Sequence, residues 1–241
     1  MVTAITGDSL RSRRGAALDR CFYLGMGVLI AVVVVYGFSH TIVENLIHPA
    51  DPRPRVLYVH AVVFASWVVL LILQSALIRT QNVSLHRKVG YTSLALGIAL
   101  PIVGIATGIA MARFNTQHGS TDEAQFLIVP FFDMVAFSVV FGLAVRWRRR
   151  PEFHRRLMLI AACGLTVAAF NRFPMVPEHW GYAGVDALIL LGVTRDWIVT
   201  QRVHPVYLYA LPAMIFGQLV TTYIQLTSQP QWMSIARSLM G

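Results

Sequence analysis

RWRRRPEFHRRL, residues Arg146 to Leu157, gathers six arginines and one histidine in one short stretch. Taken alone, so basic a run reads as a nucleic-acid patch. Its flanks exclude that reading. Phe126 to Trp147 on one side and Leu157 to Phe173 on the other are apolar and almost uncharged. Each reaches the roughly 17–25 residues that a membrane-crossing helix needs. A basic run held between two such segments is a short loop at a membrane surface, too small to fold as a separate binding module. No nucleic-acid partner is expected. The arginines are expected to pin topology and to touch anionic lipid.

Composition agrees. Of 241 residues, 56% are hydrophobic and 13% are charged, and the mean hydropathy is +0.61. Soluble domains carry about 25% charged residues. Seven apolar segments follow one another, at about Cys21–Val43, Val56–Ile78, Val89–Ala112, Phe126–Trp147, Leu157–Phe173, Ala183–Val199 and Val206–Leu226. The sixth is the weakest, because Asp186, Arg195 and Asp196 interrupt it. The first is too long for a signal peptide, has no small-x-small cleavage site behind it, and reads as a retained span. The predicted fold is all-α: a single-domain integral membrane bundle of seven transmembrane helices over residues 1–241.

Basic residues predict the orientation. With the N-terminus inside, the inner segments hold fifteen of the twenty Lys and Arg, leaving Arg53, Arg55, Arg113, Arg172 and Arg237 outside. Such asymmetry in short loops is the positive-inside signature. It places the C-terminus outside and accounts for the net charge of +9. The chain is expected in the cell inner membrane as a multi-pass protein. Trp147 and Trp197 fall at inner ends, Trp180 and Trp232 at outer ends, as an aromatic belt requires. The tail QPQWMSIARSLMG is either a short interfacial helix or a frayed end.

Three inner loops each deliver a histidine to the start of an outward-going helix: SLHRKVG with His86, EFHRRLM with His154 and QRVHPVY with His204. They mark three related hairpins, or simply inner ends that attract basic residues. Around LHRKVG and HRRLM, with the NR at Asn171–Arg172, the stretch from about His60 to Arg172 resembles a group of bacterial multi-pass membrane proteins of unknown function with paired His-Arg motifs. More remotely it resembles the cytochrome b561-like helical bundles. The remote resemblance implies haem b held by histidines, with electron transfer across the membrane. His60 and His154 are the axial candidates it offers. His60 lies inside a helix, as haem ligands in such cytochromes do, whereas His86 and His154 are flanked by Arg and Lys, where contact with headgroups is the other expectation.

Ionisable groups inside spans usually have a partner or a function. His60, Asp133, Asn171, Arg172 and Asp186, with His40 and Glu44, converge on one outer layer at about 1.5 Å of rise per residue. His60, Phe64, Trp67, Leu71 and Gln74 form one stripe of span two, and Leu211, Gln218 and Gln225, with Thr222 nearby, a stripe of span seven. Both should face the bundle interior. His60, Trp67, Asp133, Asn171, Arg172 and Asp186 are therefore the candidate residues for a cofactor or a small-molecule ligand, with Asp133 paired to Arg172 and with His60 and Asp186 lining the same cavity. The alternative is helix glue. Pro101, Gly104 and Pro212 permit kinks. No catalytic motif is present. Three functions stay open: a redox protein binding haem or quinone, a carrier or binding protein for a small molecule or ion, and an accessory subunit.

Overall fold

The computed structural model describes residues 2–121, 123–177 and 179–241, with side chains from Cys21 onward. The basic side chains between Arg11 and Arg20 lie outside the described ones. The fold is 82% helix and, among the described residues, contains no strand.

Among the described residues ten α-helices follow in order: α1 Val2–Ser39, α2 Arg55–Arg79, α3 Val83–Gln117, α4 Glu123–Phe126, α5 Ile128–Arg146, α6 Pro151–Gly164, α7 Val167–Phe170, α8 Gly181–Thr200, α9 Pro205–Thr227 and α10 Pro230–Met240. A π-helical turn, Val43–Ile47, follows α1. Among the described residues six segments are long and apolar enough to cross a membrane: Cys21–Ser39, Arg55–Arg79, Val83–Gln117, Glu123–Arg146, Pro151–Phe170 and Pro205–Thr227. The sixth expected segment is a helix, α8, of 20 residues, about 30 Å long, but its three charges keep it outside that apolar set.

The turns α2–α3, α5–α6 and α8–α9 lie at one end of the bundle, here called the basic end. The connections α1–α2, α3–α5, α7–α8 and α9–α10 lie at the far end. α6 with α7 forms the central rod, touching α1, α5, α8 and α9. It is the most deeply buried of the six apolar segments. Its inner surface is correspondingly small, with Ala161, Ala162 and Cys163 all buried. The outer surface is apolar instead: Val62 and Val69 of α2, Ile98 and Ile102 of α3, and Phe216 and Leu219 of α9 are exposed. Charges inside and aliphatic side chains outside are the arrangement a hydrocarbon solvent demands.

Several boundaries differ from the sequence reading. The helix that contains the fifth segment starts at Pro151, not Leu157; proline suits the first turn because its missing N–H needs no partner there. Glu152 to Arg156 therefore form helix, not loop. The same rod is interrupted at Leu165–Thr166, where Thr166 N donates to Cys163 O at 3.0 Å and Thr166 Oγ1 donates to the same oxygen at 2.6 Å. The kink-permitting Pro101 and Pro212 instead sit inside continuous helices. Gly97 and Gly104 serve close packing, with Phe141 and Met134 of α5 filling the space a side chain would need. The tail is a helix docked on α3 and α4, Trp232 Nε1 donating to Ala124 O at 2.9 Å and Ala236 wholly buried. A frayed end is thereby excluded.

Gly192 of α8 meets the hydroxyl of Tyr207 where a β-carbon would stand, and that hydroxyl is buried without a hydrogen-bond partner. Gly192→Ala is expected to lower the thermal midpoint in detergent, and adding Tyr207→Phe to restore only part of the loss, since the ring carbon Cζ still lies 2.8 Å from that position. Equal midpoints for the single and double variants would contradict this packing.

Candidate functional site

At the far end three helices bring polar groups together. Tyr182, near the start of α8, donates from Oη to Asp133 Oδ1 of α5 at 3.0 Å. One turn further along α8, Asp186 Oδ1 accepts from Gln218 Nε2 of α9 at 3.1 Å. Asp133, Tyr182, Gln218 and Gly164 line a chamber of about 10 Å³, enough for roughly one water-sized group. Tyr182 also lines a vestibule of about 220 Å³ with Phe126, Val129, Asn171, Thr222 and Gln225. Gly164 is the last residue of α6 before the break at Leu165–Thr166. A discontinuous helix beside an in-span carboxylate is how many transporters build binding sites.

The expected Asp133–Arg172 pair does not form. Arg172, just beyond α7, turns towards α1: Nε donates to Thr41 Oγ1 at 3.1 Å, Nη1 donates to Ala168 O, and the guanidinium lies 4.5 Å from the Phe38 ring centre. Asp133 is met by the phenol of Tyr182, whose ring also stands edge-on to Phe132 of α5, while α7 packs on α1 and α8. A tyrosine at a helix start gives no sequence signal that distinguishes it from a belt residue. His60 does not line this chamber or vestibule either. Its ring stacks on Phe64 at 4.0 Å, and its Nδ1 is buried without a hydrogen-bond partner. Trp67 belongs to the core, edge-on to Phe137 and Phe141 at 5.3 and 5.5 Å. Of the six candidates, then, Asp133 lines the chamber and Asn171 the vestibule, Asp186 joins the chamber through Gln218, and His60, Trp67 and Arg172 stand apart. The stripes themselves face inward as expected: Trp67 and Gln218 are buried.

His154 sits at the opposite end from His60. Its Nδ1 is 2.9 Å from Ala144 O, so that contact makes Nδ1 the donor. His86 is tied to the same end: Gln74, oriented so that both ends of its amide are satisfied, donates to His86 Nδ1 at 2.6 Å and accepts from Ser93 Oγ at 3.1 Å. His60 and Gln74 are fourteen residues apart on α2, about 21 Å along its axis. His60 and His154 therefore cannot grip one iron from two sides. Among the described residues no group of three or more His, Cys, Asp or Glu is gathered as for a metal ion.

The basic end holds a cluster that the sequence reading took for surface charge. Arg156 of α6 is 2% exposed and binds Asp196 of α8 through two hydrogen bonds of 2.8 Å, Nε to Oδ2 and Nη2 to Oδ1. Asp196, 0% exposed, also accepts from Arg195 Nη1 at 2.6 Å and from the His204 backbone N–H at 3.3 Å. Glu152 Oε2 accepts from Arg156 Nη1 at 2.7 Å. Arg156 thus touches protein, not lipid; Arg146, Arg148, Arg149 and Arg150 are the exposed members of the opening stretch. His204, just before α9, accepts from Val206 N at its Nδ1. Burial first, then the charge of Arg156, hold its pKa below the ordinary value, which keeps that nitrogen free to accept. The visible signal was the spacing Glu152–Arg156, four residues apart on one helix face.

Removing one partner of a buried pair leaves the other charged and short of its main partner, at a cost of up to about 3–5 kcal/mol. Asp196→Asn is therefore expected to be among the most destabilising isosteric changes in this protein, with Asp133→Asn, which leaves no cation stranded, costing far less. Thermal unfolding in detergent checks the order; a reversed order would contradict it.

Searches of protein-family models, curated proteins and solved structures find no match to this chain.

Proposed function

We propose that this chain is a carrier or binding protein for a small molecule or ion, with its site in the far-end cavity around Asp133, Tyr182 and Gln218. The observation that carries this reading is the broken central helix, whose last α6 residue, Gly164, lines the chamber with Asp133. A site at a helix break near an intramembrane acid binds and releases without needing catalytic residues. The vestibule, about 220 Å³, is smaller than the roughly 300–1,000 Å³ of drug-sized pockets, so the ligand is small.

This reading includes seven spans, N-terminus inside and C-terminus outside, in the cell inner membrane. Its support is that the charges that weaken α8 all turn inward: Asp186 to Gln218, and Arg195 and Asp196 into the buried cluster. What α8 leaves outside includes Leu190, Leu191, Trp197 and Ile198. The exposed arginines at positions 146, 148, 149 and 150 then face the inner surface and its anionic lipid. A reporter fused to the C-terminus and active only in the cytoplasm is expected to stay silent; activity would mean that α8 does not cross.

Opening of the cavity is tested by labelling. In a Cys21→Ala background, with Cys163 buried, Thr222→Cys is expected to react with methyl methanethiosulfonate. A thiol there as inert as Cys163 would overturn the cavity reading. A polar layer that only glues helices would show the same inertness.

A second reading, haem b or quinone bound beside His60, draws on its unpartnered buried Nδ1. It requires a redox-sensitive absorption band, with haem supplied during expression, that is lost in His60→Ala. A band lost only in His154→Ala would move the ligand to the basic end, and absence of any such band would end the haem form of this reading.

A further inference from the structure

The unmet groups around the chamber point to the charge of what enters it, given that the cavity is a ligand site as proposed above. Among the described residues, neither Asp133 nor Asp186 has an ion pair. Arg172, the cation expected there, is committed to Thr41, Ala168 and Phe38. Asp133 receives one hydrogen bond, from Tyr182 at Oδ1, and its second oxygen receives none. Gln218 is 4% exposed, and its Nε2 is turned to Asp186. That contact settles the amide orientation, because only the nitrogen can donate to a carboxylate. Gln218 Oε1 is left without a hydrogen-bond partner on a side chain that lines the chamber. A space for one water-sized group, next to an acid without a counter-ion and an amide oxygen without a donor, has the complement of an ammonium head. Such a head brings three donors and one positive charge. A neutral hydroxyl brings one donor and no charge, and an anion adds a second negative charge at low dielectric.

We propose that the site takes a small organic cation with a primary ammonium group. The head occupies the chamber against Asp133 and Gln218 Oε1, and the carbon body lies in the vestibule beside Phe126 and Val129, with Tyr182 between the two spaces. The in-span acids then select charge, and the vestibule volume limits size.

The test uses the full-length Thr222→Cys protein in the Cys21→Ala background and follows its labelling by methyl methanethiosulfonate. Three competitors share a four-carbon skeleton and differ in charge: n-butylammonium, n-butanol and butyrate. Butylammonium is expected to slow labelling by about tenfold, the order of effect that charge focusing gives in a low-dielectric cleft, at a concentration where the other two leave it nearly unchanged. Adding Asp133→Asn is expected to remove the protection while labelling itself continues; Asp186→Asn is the second variant should the first fail to fold. Equal protection by butanol, stronger protection by butyrate, protection that survives both substitutions, or labelling that none of the three slows would each overturn the cation assignment and leave an open cavity. Failure of labelling altogether would instead remove the cavity reading on which the assignment rests.

Discussion

The two-pronged bond between Arg156 and Asp196 is the constraint on which the arrangement turns. It joins the central helix to α8 across forty positions of sequence, with both side chains almost fully buried. Neither charge is tolerable alone in a bundle whose exterior is aliphatic. Together, with Arg195, Glu152 and the His204 backbone N–H around them, they form a hydrogen-bonded polar plug. A buried ion pair is weak evidence for net stability, since apolar substitutes often do as well. We assign it the role of registry: the rotation and axial position of α8 that bring Asp196 to Arg156 also deliver Tyr182 to Asp133 and Asp186 to Gln218. The plug at one end thereby sets the register of the cavity at the other.

The central rod shows the same economy in its side chains. Its basic-end half carries Arg156 in the plug, its middle is a run of small residues that lets four other helices approach, and its far end breaks beside the chamber. Glycine contacts reinforce this. Gly37 of α1 lies against the Ala169 backbone of α7, and Gly184 of α8 lies under the Phe170 ring. The short helix α7 is thus held closely from two sides, and the break ahead of it is a built feature of the packing.

Much of the fold was legible in the sequence, because hydropathy and length dominate when the solvent is lipid. Cys21–Ser39, Arg55–Arg79 and Pro205–Thr227 all emerge close to the segments read from apolar runs. The inward stripes on α2 and α9 were legible from helical spacing, and Asp133, Asp186 and Asn171 stood out as polar residues in or at apolar segments. Partner choice was not legible. Whether Asp133 meets Arg172 or Tyr182 depends on which helices are neighbours and how each is rotated, and nothing within one helix carries that. The reading of the arginine run as lipid contact failed at Arg156 for a related reason. Hydropathy marks arginine as interfacial, but its acid partner lay on a helix whose own charges had already counted against it. The break at Leu165–Thr166 contains no proline, so it left no mark in a scan for helix breakers.

A double-mutant cycle on Arg156 and Asp196 bears most directly on the plug as the element that fixes α8. Arg156→Leu, Asp196→Leu and the double variant are compared with the parent by reversible unfolding in detergent micelles. Each single change removes the same two-pronged bond, leaving Asp196 with Arg195 alone or Arg156 with Glu152 alone, so the two losses should not add: the double variant is expected to be more stable than their sum by well over the roughly 0.5 kcal/mol that separates additive from coupled sites. Losses that sum within that margin would mean that the two charges do not depend on each other, and the registry assigned to them would be wrong.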